Sequence, residues 1–198
     1  MTAREILKQT HSNEILNMDN INSVIKGMVP DKCRIFYVCS NEDLEDCISS
    51  VSTSLTQRNL QNIRNYYDKT TVLGCAFHRQ QIVIIFVKSI LVEGKYMPKQ
   101  MCEKRFYNVL FHELCHLKLS EKGIDDNEHI VNKFARDLCA MNKEFLLNPF
   151  NDEVYKKFKS QTNFISSFFG DVWDTIVSSP LLIGAIAFLV YRIIVTSI

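Results

Sequence analysis

Two of the five histidines in the chain, His112 and His116, stand four residues apart in His112-Glu113-Leu114-Cys115-His116. In a helix this spacing stacks both imidazoles on one face, one turn apart, where two His can hold a single Zn²⁺. Glu113 directly follows the first His, placing its carboxylate within reach of a water at the metal's open position, as a general base. A catalytic zinc takes a third protein ligand, which the motif itself does not contain. Cys115 lies about 100° round the helix from His116 and reads as a packing residue rather than a thiolate ligand.

These side chains need elements to position them. Residues 105–119 read as one buried helix, entered after Pro98 and ended before Gly123. A second helix opens at about residue 125, with Ile130, Val131, Phe134, Leu138 and Met141 as its apolar stripe. Glu128 falls in its first turn, on the same face as Asn132. It is either the missing third ligand or a capping-box partner of Asp125. His129, nearer the apolar stripe, is the rival ligand or a packed core His.

Upstream, residues 71–77 and 82–87 are extended runs joined by His78-Arg79-Gln80-Gln81, which predicts an antiparallel hairpin. The second run is almost continuously apolar, as in a strand covered on both faces, and is a candidate to pair with an extended substrate. Residues 34–38 read as another strand, and residues 2–29 as weakly helical. Ser40 caps a helix that runs from Leu44 to Tyr67 with a break near Thr53-Ser54. Glu42, Asp43, Glu45 and Asp46 suit the first turn of that helix and are not read as a metal site.

Arg105-Phe106 ahead of His112-Glu113-Leu114-Cys115-His116-Leu117, followed by Glu128-x-x-Val131-Asn132-x-Phe134-Ala135, resembles the ImmA/IrrE-type metallopeptidases over residues 70–140. The resemblance implies an α+β, zincin-like domain with a small antiparallel sheet packed on the H-E-x-x-H helix and a second, ligand-bearing helix. It implies zinc bound by His112, His116 and Glu128, with Glu113 as catalytic base and Asn132 supporting a ligand. The chain departs from the family pattern at Cys115, where Gly is usual, at Val131, where Ala is usual, and at 138–141, where Leu138-Cys139-Ala140-Met141 replaces the usual ending.

A net charge of +1 supplies no basic field for nucleic acid. Seven Cys without C-x-x-C, and a polar N-terminus without a secretory signal, point to a reducing compartment. Residues 180–198 are apolar apart from Arg192, and counting from Ile176 gives a stretch of membrane-spanning length. Before it, Phe164-Ile165, Phe168-Phe169, Val172-Trp173 and Ile176-Val177 form the apolar face of an amphipathic segment. Lys156, Lys157 and Lys159 precede that segment and favour a cytoplasmic domain.

The expected organisation is a metallopeptidase domain at 1–150, an amphipathic juxtamembrane segment at 151–177 and a transmembrane helix at 178–198. The chain then sits single-pass in the cell membrane with its N-terminal domain facing the cytoplasm. The function expected is hydrolysis of peptide bonds in a protein or peptide substrate, a regulator among the candidates, by a Glu-activated water on zinc. His129 and Tyr155 are candidates to stabilise the oxyanion. The alternative is a non-catalytic zinc-binding or partner-binding regulatory protein of the same fold.

Overall fold

The computed structural model describes residues 7–124 and 127–156. Of the amphipathic segment expected at 151–177 only residues 151–156 are described, and the transmembrane helix expected at 178–198 lies outside the described residues. Among the described residues no helix is long and apolar enough to cross a membrane.

The fold is α+β, mostly helical, around a small sheet. Two short helices, α1 (Ser12–Ile15) and α2 (Met18–Ile25), lead to strand β1 (Arg34–Val38). Helices α3 (Asn41–Val51) and α4 (Gln57–Lys69) follow, separated by turn residues where the sequence predicts a break. Ser40 forms the expected capping box: its hydroxyl accepts from the Asp43 N–H at 3.0 Å while Asp43 Oδ2 accepts from the Ser40 N–H at 2.9 Å. Strands β2 (Gly74–Phe77) and β3 (Ile82–Phe86) make the predicted antiparallel hairpin, turned by one 3₁₀ turn and by Gln81 at φ +54°.

The sheet is mixed, not antiparallel throughout. Its order is β1-β3-β2, and β1 runs parallel to β3 with Arg34 opposite Ile82 and Val38 opposite Phe86. A parallel pair needs a long crossover, which the α3–α4 pair contributes before the hairpin begins. β3 is therefore central, every residue in it is buried, and both of its edges are hydrogen-bonded. That removes it as a strand for pairing with substrate. β2 is the edge on the other side of β3 from β1.

Alternation along β3 splits the interior in two. Ile82, Ile84 and Phe86 join Leu44, Ile48, Val51, Leu60, Ile63 and Tyr67 from α3 and α4 in one cluster. Val83 and Ile85 point to the opposite face, where the longest helix crosses the sheet. After α5 (Val87–Glu93) and a 3₁₀ turn comes that helix, α6 (Lys99–Glu121), with buried residues around most of its circumference from Cys102 to Leu119. Phe106 on α6 stacks on Tyr37 and meets Phe150 edge-on, and Phe150 stacks on Tyr155. The Tyr107 hydroxyl donates to the Leu147 carbonyl at 2.6 Å. Residues 147–155 are thereby fixed against α6, within the compact unit Met1–Lys156.

Helix α7 (Glu128–Met141) folds back on α6. Gly123, at φ +63°, ends α6: its N–H bonds the Ser120 carbonyl and the Ile124 N–H bonds the Leu119 carbonyl, both at 3.0 Å. These two bonds are a Schellman motif, and the positive φ is why glycine suits the position. The face α7 buries is Val131, Ala135 and Cys139, whereas Phe134 is 50% and Met141 79% exposed. Of the stripe read from the sequence, Val131 is buried and Ile130 and Leu138 are half-covered, while Phe134 and Met141 face out because α7 meets α6 through its smaller side chains.

Candidate metal centre

Asn127 caps α7, its Oδ1 accepting from the Ile130 N–H at 3.0 Å, so Glu128 is the first residue of the helix. A carboxylate is favoured there by the helix dipole. The tight turn at Gly123 returns this N-terminus toward the motif turn of α6. Asp125 lies outside the described residues, and the cap belongs to Asn127.

The result is a three-residue cluster. The Nε2 atoms of His112 and His116 stand 3.1 Å apart, and Glu128 places Oε2 3.4 Å from the first and Oε1 3.4 Å from the second. Ligands bonded at about 2.0–2.1 Å in a tetrahedral shell lie about 3.3 Å from one another. His112, His116 and Glu128 are therefore spaced as three corners of one shell, and the group can hold a metal ion. The two His side chains are largely covered, and Glu128 is the exposed member. His129 is exposed and takes no part in the cluster, while Tyr155 is buried in the aromatic stack beneath α6.

The electrostatics suit ligation. Burial lowers the proton affinity of His112, the neighbouring His116 lowers it further, and Glu128 and a hydrogen bond from the His112 ring to the Asn132 side chain oppose them. A metal needs the neutral imidazole, so the net direction is favourable. Asn132 sits one turn beyond Glu128, and its bond to His112 is the support expected from the sequence.

Glu113 lies beside the cluster and is only 6% exposed. Burial first, and the charge of Glu128 second, push its carboxyl up to about 8. The covering surface is β2: a Cβ built on Gly74 would stand 2.8 Å from both Cγ and Oε1 of Glu113. Only glycine lets the strand pass this close to the carboxylate.

Next to these residues opens a cleft of about 310 Å³, lined by Leu73, Gly74, Asn108, His112, Glu113 and Arg136 among others. Glu113 and His112 thus face a space that can hold part of a second molecule. Sequence reasoning had no signal for Gly74, Asn108 or Arg136 in this role. Gly74 is set by an approach between strand and helix, and Arg136 reads as an ordinary solvent-face residue. A glycine beside a continuous apolar strand was the one available hint.

Comparison with protein families, with curated proteins and with solved structures gives no match.

Proposed function

We propose that the chain is a zinc-dependent peptidase carried on a membrane by its apolar C-terminal segment. The observation that supports this most is the convergence of His112, His116 and Glu128 at 3.1–3.4 Å with a buried carboxylate, Glu113, and a cleft beside them. Two imidazoles and one carboxylate are a donor set that zinc accepts with a fourth position left open. The resemblance of the two helix motifs to ImmA/IrrE-type metallopeptidases points the same way.

When bound, zinc supplies a Lewis acid that polarises a peptide carbonyl and acidifies a water. Glu113 takes the proton from the attacking water and passes it to the leaving amine. Its burial under Gly74 holds one carboxylate oxygen in place and raises its affinity for that proton. Asn132 keeps the His112 ring oriented. The cleft beside Glu113 takes the substrate chain.

Metal analysis of the purified chain tests this reading. One zinc per chain is expected, lost in Glu128→Ala and kept in His129→Ala. Glu113→Gln is expected to keep the metal and lose hydrolysis of a casein or mixed-peptide substrate. Stoichiometric metal without any Glu113-dependent cleavage would favour a binding protein, and absence of metal would overturn the site.

A further inference from the structure

The cleft beside Glu113 has a chemical character that the metal ligands do not account for. Two arginines line it, Arg105 and Arg136. Arg105 is already engaged: its Nε and one terminal nitrogen donate to the two carboxylate oxygens of Glu93, at 3.2 and 3.0 Å. Arg136 is different. Its Nε donates to the Asn132 carbonyl of its own helix at 3.2 Å, and no carboxylate among the described residues pairs with it. The residue lines the cleft, and the hydrogen bond to Asn132 uses only its Nε. A guanidinium held by Nε presents the remaining N–H groups as a fork that matches a carboxylate.

A second polar group in the same cleft also lacks a partner. The Oδ1 of Asn108 is buried and accepts no hydrogen bond among the described residues. A buried acceptor left unmade is costly. Leu73, Val109 and Ala135 supply apolar lining between these polar groups.

We infer that this cleft is a subsite for a carboxylate-bearing residue of the substrate, read by Arg136. The inference rests on the peptidase reading for its substrate class, and it names the class: an acidic peptide, or a peptide ending in a free C-terminus. Both present the same carboxylate. The two sources place it differently, an acidic side chain leaving the chain free to continue and a terminal carboxylate ending it there. Arg136 is exposed, so its contribution is modest and sensitive to salt.

Binding, rather than cleavage, tests the inference separately from the reading it rests on. The full-length chain carrying Glu113→Gln and loaded with zinc is titrated against fluorescein-labelled hexapeptide pools. The pools contain an internal Glu with an amidated end, an internal Gln with an amidated end, an internal Gln with a free end, or an internal Lys with an amidated end. One carboxylate-bearing pool is expected to bind roughly fivefold to tenfold tighter than the neutral pool at low salt. Preference for the Glu pool assigns a side chain, and preference for the free end assigns a terminus. Arg136→Gln should bring the preference to about unity, and Arg136→Glu should transfer it to the Lys pool. Equal binding of all pools, or a preference that survives Arg136→Gln, would overturn the inference. Failure of the peptidase reading shows elsewhere, as wild-type protein that binds the acidic pool and never cleaves it.

Discussion

The two faces of β3 lead to very different places. On one, Ile82, Ile84 and Phe86 close a large apolar cluster with α3 and α4, whose helices are capped by Ser40 and Thr56. On the other lies α6, and beyond it the α6–α7 hairpin, whose own apolar cluster is Cys115, Leu119 and Val131 with Ile130 and Leu138 half-covered. The first face spends its residues on burial. The hairpin instead carries the two His, a buried carboxylate and an exposed one, a set that burial alone would disfavour. The cluster under α3 and α4 is apolar, whereas the hairpin keeps polar groups where they cost free energy.

This division can be broken at its stable end first. Ile84 is fully buried in the central strand, and Ile84→Ala should lose about 2–5 kcal/mol in urea unfolding while the surviving folded protein keeps its metal stoichiometry. Val131→Ala, in the small hairpin cluster, should lose distinctly less and weaken metal binding instead. An equal loss at both positions would erase the proposed contrast.

Titration sharpens it next. Glu113 titrates near 8 in the folded chain, above its ordinary value of 4.5. Between those values the folded, metal-free protein holds a proton that the unfolded chain gives up. Its contribution to stability is therefore complete below about pH 4.5 and lost as the pH rises through 8. The unfolding free energy of metal-stripped protein in urea should fall across this window, by a few kcal/mol at most, and the slope should flatten in Glu113→Gln.

Smaller effects follow at two glycines. Gly74→Ala pushes a methyl into Glu113, at a cost of about 1–3 kcal/mol, and should reduce hydrolysis more than it lowers Tm. Gly123→Ala meets open space and carries only the strain of a positive φ, about 1 kcal/mol. Because Gly123 sets the turn that returns Glu128 to the two His, its variant should bind metal more weakly, measured against a competing chelator.

Several of these features were legible in the chain. The extent of α6, the break before α4, the β2–β3 hairpin and the glycine stop at Gly123 all follow from local chemistry: periodicity, capping and positive φ. The direction of β1 was not legible, because strand propensity says nothing about which partner a strand finds or which way it runs. The face of α7 was misjudged at two positions for a related reason. Phe134 and Met141 are its largest apolar residues, yet close packing on α6 selects Val131, Ala135 and Cys139. Within the site, His112 and His116 could be named from their spacing, whereas Glu128 stood level with a capping role and with His129 until the resemblance to the ImmA/IrrE-type motif singled it out. Gly74 and Arg136 could not, because their roles exist only once strand, helix and cleft are brought together.

If the His112–His116–Glu128 group holds a metal ion as proposed, the high proton affinity of Glu113 bears on how that ion is taken up. A carboxyl titrating near 8 is mostly protonated at neutral pH, and a cation arriving within a few ångströms makes that proton harder to keep. Loading is then an exchange of a cation for a proton, with heat that depends on the ionisation enthalpy of the buffer and an apparent affinity that climbs with pH. The chain would hold its metal least firmly in acid, where the buried carboxyl keeps its proton.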